Sequence, residues 1–283
     1  MPELPADLAA QVDAALREDV GSGDVTAALV PEGQRVRGSV ITREAAILCG
    51  RAWAEETFRR LDARVQLTWQ AADGAALSAG QVVFDIAGPA RAVLTGERTA
   101  LNFLQLLSGT ATVTRSFADA VAGTSCRILD TRKTVPGLRS AQKYAVRCGG
   151  GDNHRMGLYD RVLIKENHIA AAGSLTGAIE AARRSAPGLT VEVEVESLAE
   201  LEEALSARPD IILLDEFSAA DMRSAVRLNH ARGGAVKLEA SGSVSLQVVP
   251  AIAATGVDYI SVGALTKHVR AVDLSMRLEF TGG

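Results

Sequence analysis

The chain has no apolar run long enough to cross a bilayer, and Met1-Pro2-Glu3-Leu4 is not a basic region leading into an apolar one. Neither a membrane span nor a secretory leader is expected, and a cytoplasmic location follows by default. Cysteine is scarce: Cys49, Cys126 and Cys148 are odd in number and lack CxxC spacing. That speaks against a disulfide framework and against a zinc site. No GxGxxG fingerprint is present, so a doubly wound dinucleotide fold loses its main signal. Net positive charge is also lacking, with 30 Lys and Arg against 34 Asp and Glu, a formal charge of -4. A nucleic-acid partner, which needs a broadly basic face, is therefore disfavoured.

Against that acidic background, residues 128–169 form a basic island. It holds Arg132, Lys133, Arg139, Lys143, Arg147, Arg155, Arg161 and Lys165, with His154 and His168, against Asp130, Asp152, Asp160 and Glu166. Gly137, Gly149, Gly150, Gly151 and Gly157 lie among them, and glycine lets a backbone approach a ligand closely. A basic concavity on an acidic body suits a small polyanion carrying several carboxylates or phosphates.

The 283 residues can bury a large core, and 47% hydrophobic with 23% charged residues is globular composition. The first hundred residues read as mixed α/β. Helices are expected over 8–20, 52–61 and 90–108, the last carrying Glu97, Arg98 and Asn102, with strands over 36–41, 65–70 and 81–86. From Ser125 the rhythm changes to short β-rich runs at 127–129, 162–164, 190–195, 211–214, 236–238 and 259–262. Helical segments at 175–184, 198–207 and 219–230 lie between several of them. Such alternation predicts parallel strands with right-handed crossovers, and an α/β barrel is favoured over an open sheet.

In such barrels functional groups collect at the C-terminal ends of strands. Here Leu129 meets Asp130-Thr131-Arg132-Lys133, Ile164 meets Lys165-Glu166-Asn167-His168, and Leu214 meets Asp215-Glu216. Leu238 meets Glu239-Ala240-Ser241-Gly242, and Val262 meets Gly263. Strand 191–196 alternates three valines with Glu192, Glu194 and Glu196. In a barrel the valines face the helices and the glutamates the lumen, where an unpaired carboxylate costs on the order of several kcal/mol. The alternative is an edge strand with a solvated acidic face.

Arg132-Lys133 offers a bidentate anion clamp beside a point charge, or a solvated loop. The Gly149-Gly150-Gly151 triplet before His154-Arg155 reads as a ligand approach. Lys165 is a Schiff-base nucleophile, an anion anchor, or half of an ion pair. Glu194 and Asp215 hold ribose hydroxyls or Mg²⁺, or neutralise Lys165. Ser241-Gly242-Ser243 and Gly263-Ala264 match late-strand loops that bind phosphate through backbone N–H groups.

Asp130-Thr131-Arg132-Lys133-Thr134-Val135-Pro136-Gly137-Leu138-Arg139, Gly149-Gly150-Gly151-Asp152-Asn153-His154-Arg155 and Leu163-Ile164-Lys165-Glu166-Asn167-His168 together resemble the quinolinate phosphoribosyltransferase family. So do residues 18–26, 96–102, 239–242 and 261–263, so that the resemblance spans essentially the whole chain. It implies an N-terminal α/β sandwich domain over 1–110, joined by the C-terminal segment 270–283, and an irregular α/β barrel over 111–269. It also implies conversion of quinolinate and 5-phosphoribosyl-1-pyrophosphate to nicotinate mononucleotide, pyrophosphate and CO₂, with Mg²⁺, in a homodimer or higher oligomer with shared sites.

By that resemblance Arg132, His154, Arg155 and Lys165 hold quinolinate, with Arg98 reaching in from a neighbouring subunit, and Thr131 belongs to the substrate-binding set. Lys133 contacts the phosphoribosyl pyrophosphate, while Glu194 and Asp215 hold ribose and metal. Ser241, Gly242 and Gly263 cradle the 5-phosphate, and Ser243, Val262 and Ala264 are further substrate-binding positions. Lys133, Lys165, Glu194 and Asp215 are the expected catalytic groups. Three rivals are a relative with another acceptor, a Schiff-base aldolase using Lys165, and a non-enzymatic nucleotide sensor.

Overall fold

The computed structural model describes residues 2–281. The chain divides into two compact units. One holds residues up to Arg115, Thr134–Gly150 and residues from Leu265 onward; the other holds Ser116–Lys133 and Gly151–Ala264.

The first unit begins with α1 (Leu8–Val20), then β1 (Arg35–Thr42), β2 (Ala46–Ile47), α2 (Arg51–Leu61), β3 (Gln66–Trp69), β4 (Ala76–Leu77) and β5 (Val82–Pro89). Its main sheet runs β12-β1-β5-β3, antiparallel throughout, where β12 (Leu274–Thr281) is the last strand of the chain. Alternation in β1 sends Val36 and Val40 into a core with Phe58, Phe84, Leu101 and Leu104.

The helix α3 (Ala90–Ala120) continues well past the expected end at 108. Ser108, Gly109, Thr110 and Thr112 look like a break in sequence. Thr112 and Thr114 instead return their hydroxyls to the carbonyls of Ser108 and Thr110, and Ser108 Oγ bonds both the N–H and the carbonyl of Cys49. Polar side chains satisfied within the helix and against a neighbour allow it to continue.

A helix not expected from sequence, α4 (Arg139–Gly149), also belongs to this unit. It buries Ala141, Tyr144, Ala145 and Cys148. The glycine triplet serves this packing rather than an open approach. A Cβ at Gly149 would lie 2.5 Å from the Ala111 carbonyl, and Gly150 takes φ 93° to cap the helix.

The second unit strings β6 (Arg127–Leu129), β7 (Val162–Ile164), α5 (Glu166–Ala172), α6 (Leu175–Ser185), β8 (Val191–Val195), α7 (Leu198–Ala207) and β9 (Ile211–Asp215). α8 (Ala219–Ala231), β10 (Lys237–Ser241), α9 (Val249–Ala253) and β11 (Tyr259–Ser261) follow, and α10 (Ala264–Lys267) then leads back to the first unit. The six strands are parallel in the order β6-β11-β10-β9-β8-β7. A bridge between Leu129 and Asp152 extends the free side of β6.

Two residues on, His154 reaches Glu192 of β8 at 3.1 Å. In a flat sheet β6 and β8 would stand roughly 19 Å apart at about 4.8 Å per strand. The sheet is therefore curled nearly into a ring, the irregular barrel expected. β8 lies between β7 and β9, so the edge-strand alternative falls. Val191, Val193 and Val195 are buried against α6 and α7, each worth roughly 1.5–3 kcal/mol, and Glu192 and Glu194 point inward. The third glutamate does not join them: β8 ends at Val195, and Glu196 is exposed. Among the described residues no helix is long and apolar enough to cross a membrane.

Candidate active site

The strand registers set the inward face of the barrel. Glu192 pairs with Ile211 and Leu163, Glu194 with Leu213, Glu239 with Leu213 and Tyr259, and Ser241 with Asp215. Because alternate residues share a face, Lys165, Glu194, Asp215 and Ser241 stand at the strand ends. Glu192 and Glu239 lie deeper.

At that end Lys165 Nζ donates to Glu194 Oε2, so of the readings open for Lys165 the ion pair is realised. It leaves the ammonium, still partly exposed, available to an incoming anion. Asp215, half-buried at the end of β9, makes no side-chain hydrogen bond or ion pair among the described residues. Two carboxylates on adjacent strands, one unpartnered, suit Mg²⁺, which takes few protein oxygens and completes its shell with phosphate and water.

Arg132 and Arg155 lie close enough that their like charges repel. Burial first, then the Arg132 charge, lowers the affinity of the Arg155 guanidinium for its proton. Arg132 Nε is buried without a hydrogen-bond partner. An orphaned buried Arg132 donor, with a second guanidinium near enough to feel its charge, suits an anionic ligand.

Thr131, Lys133 and Gly263 also converge. A Cβ added at Gly263 would fall 2.9 Å from Lys133 Cδ and 3.6 Å from Thr131 Oγ1. The phosphate loops fit less uniformly. Gly242 holds φ 123°, open to glycine, beside the Glu216 carboxylate, and Ser243 Oγ donates to that carboxylate at 3.0 Å. The Val262 N–H is committed to the Leu129 carbonyl at 2.9 Å and has no donor to offer a phosphate. Ser241, Gly242, Ser243, Gly263 and Ala264 keep the loop positions.

His154 is buried, with both ring nitrogens engaged by protein. Nδ1 accepts the Arg155 N–H at 2.7 Å, and Nε2 faces Glu192. The His154 N–H and Asn153 Nδ2 donate to Asp130, itself fully buried. This arrangement fixes the backbone that carries Arg155. Arg161, Glu192 and Glu239 complete the surroundings of His154, yet none was chosen from sequence as a site residue. The inward face of strand 191–196 was the signal for Glu192; nothing local marks Arg161.

Three cations of the island leave this unit altogether. Arg139, Lys143 and Arg147 lie on α4, with Lys143 wholly buried and Arg139 donating to Thr134. His168 is a helix cap, its Nδ1 accepting the Lys165 N–H. Arg98, exposed on α3, is in the first unit. Cys148 shares a buried cluster there with Cys49 and Asp73. A hydrogen bond from Cys49 lowers the Cys148 thiol, while burial raises that of Cys49.

Comparison with known proteins bears on both units. The quinolinate phosphoribosyl transferase N-terminal domain matches residues 24–108 and its C-terminal domain residues 110–277. The chain is 47% identical over 270 residues to the nicotinate-nucleotide pyrophosphorylase [carboxylating] of Mycobacterium leprae, covering 93% of this chain and 94% of that one. A chloroplastic enzyme of the same description from Arabidopsis thaliana is 38% identical, covering 96% and 83%. The solved nicotinate-nucleotide pyrophosphorylase of Francisella tularensis superposes with a TM-score of 0.94 at 46% identity, covering 98% of each chain.

Proposed function

The chain belongs to the quinolinate phosphoribosyltransferase family, enzymes of NAD biosynthesis, and we propose that it carries out the family reaction with the side chains just described. Quinolinate is a pyridine with adjacent carboxylates. Its nitrogen attacks C1′ of 5-phosphoribosyl-1-pyrophosphate as the C1′–O bond to pyrophosphate breaks. The resulting pyridinium accepts the electron pair of the C2–carboxylate bond, CO₂ leaves, and C2 takes up a proton.

The observation that carries this reading is the Arg132–Arg155 pair, with its orphaned Nε. It holds the two carboxylates, and the Lys165 ammonium faces the same dianion. No covalent nucleophile is needed, which sets aside a Schiff-base role for Lys165. Lys133, packed beside Gly263, binds the phosphoribosyl pyrophosphate, and the Ser241-Gly242 and Gly263-Ala264 turns take its 5-phosphate. Glu194 and Asp215 would hold the ribose hydroxyls and Mg²⁺, which when bound would supply charge neutralisation for a pyrophosphate leaving group. Their carboxylates also favour the positive charge that develops on the ribose. Orientation of the two reactants is the main contribution, worth roughly 7–11 kcal/mol in well-aligned systems.

The same reading places the enzyme in the cytoplasm as a homodimer, with Arg98 of one copy serving the site of the other. Titration calorimetry tests the clamp. Arg132→Ala is expected to weaken quinolinate binding about a hundredfold, the scale of charge-assisted bonds to a carboxylate, with phosphoribosyl pyrophosphate binding little changed. Unchanged quinolinate affinity would remove Arg132 from the clamp.

A further inference from the structure

Beneath the clamp lies a closed chamber of ionisable side chains. Glu192 and Glu239 are both fully buried, and His154 nearly so. Single ligand atoms of His154, Glu192 and Glu239 all lie within 4.8 Å of one another. His154 Nε2 stands 3.1 Å from Glu192 Oε2 and 3.5 Å from Glu239 Oε1, and Arg161 Nη1 reaches the same Glu192 oxygen at 3.2 Å.

The bond to Nδ1 sets the tautomer, and the 3.5 Å approach of Arg161 Nη1 to Nε2 is then a contact and not a donation. Because the Arg155 N–H donates to Nδ1, that nitrogen carries no hydrogen, and the ring proton sits on Nε2. Nε2 hydrogen-bonds Glu192 Oε1 at 3.3 Å and the Arg161 guanidinium donates to Oε2 at 3.2 Å, so both rest on the one carboxylate. Glu239 differs from Glu192 in one respect: among the described residues neither of its carboxyl oxygens has a well-formed hydrogen bond, the nearest donors being the Ser261 hydroxyl and His154 Nε2 at 3.5 Å. The groups facing it are Glu192 from β8, Asp130 after β6, His154 and Arg161 from the segment before β7, and the Ser261 hydroxyl from β11. One guanidinium balances one glutamate, and a second buried anion would stand uncompensated.

We propose that Glu239 is a positioning residue that works as a neutral acid. By keeping its proton it leaves Glu192 the single anion on which His154 Nε2 and Arg161 both rest. The His154 ring in turn receives the Arg155 N–H and sets the Arg155 guanidinium against the substrate. Burial, followed by the Glu192 charge, pushes the Glu239 carboxyl well above the usual carboxylate range, in keeping with this arrangement. The inference rests on the placing of Arg155 against quinolinate.

Infrared difference spectroscopy of the full-length protein, wild type against Glu239→Gln at neutral pH, tests the protonation state directly. The wild type should show the carbonyl stretch of a protonated carboxyl, shifted in D₂O and absent in the variant. An ionised-carboxylate band lost in its place would overturn the proposal.

The pH profile tests the role. Wild-type kcat/KM for quinolinate should fall on the alkaline side as Glu239 ionises. The variant, neutral at every pH, should keep activity within a few-fold and lose that part of the fall. Identical profiles would overturn positioning by the neutral acid. Glu192→Gln, the same change at an equally buried glutamate, should instead raise KM strongly, which a merely structural role for both would not produce. If the wild type turns over no quinolinate, the assignment of Arg155 fails, while the infrared band still decides the state of Glu239.

Discussion

Glu192 and Glu194 lie two residues apart on one face of one strand, yet they do different work. Glu194 stands at the strand end, paired with a lysine whose side chain is 44% exposed. Glu192 lies one layer deeper, at 0% exposure, held by His154 and Arg161. Depth in the barrel separates the roles we propose: the outer layer is open to a ligand, whereas the inner layer is buried and orients the residues above it. The same separation divides the carboxyls themselves. Those at the rim are open to exchange of partners, while the inner Glu239 keeps its proton.

The comparison is most sharply broken at its deep end. Glu192→Gln leaves Arg161 without its counter-ion and is expected to destabilise the protein by about 3–5 kcal/mol in chemical denaturation. A loss below about 1 kcal/mol would mean that the chamber is open to water.

Next in size is a pH effect at Glu239. Its folded value is raised, so the folded state keeps a proton that the unfolded chain has lost. Stability should therefore be greatest below about pH 4.3, the unfolded carboxyl value, and decline as pH rises through the raised folded value. Denaturation of Glu239→Gln across the same range should lack that share of the slope.

At the rim, Gly263→Ala places a methyl 2.9 Å from Lys133 Cδ. A flexible lysine can yield, so a several-fold rise in KM for phosphoribosyl pyrophosphate is expected with kcat nearly kept. Smallest of all is Glu279→Gln, which removes the Arg37–Glu279 pair on the surface. Both partners are largely exposed, and stability should change by less than about 1 kcal/mol.

Much of the barrel was legible because its strands are short apolar runs that end in polar residues. Five of the six begin or end within a residue of expectation at both ends; β10 instead runs on to Ser241, three residues further. The inward glutamates followed from alternation alone. α4 was missed because Arg139, Lys143 and Arg147 drew it into the basic island. Its apolar residues Ala141, Tyr144, Ala145 and Cys148 carry the helical period plainly enough. The extra length of α3 was hidden by hydroxyls that bond back within the helix.

The clamp residues Arg132 and Arg155 were named from sequence, but their mutual approach was not visible there, since it depends on two segments 23 residues apart meeting at β6. Nor could sequence tell that His154 turns both nitrogens inward. That depends on Glu192, from a strand distant in sheet order, and on the N–H of the very next residue.

The central claim is that paired guanidiniums select a dicarboxylate for a transfer that releases one carboxylate. The most direct measurement incubates the protein with carboxyl-labelled quinolinate, phosphoribosyl pyrophosphate and Mg²⁺ and counts CO₂ against nicotinate mononucleotide. The account predicts release in equal amounts, with nicotinate inactive as a substrate. Mononucleotide formed from nicotinate, or phosphoribosyl pyrophosphate consumed without CO₂, would contradict it.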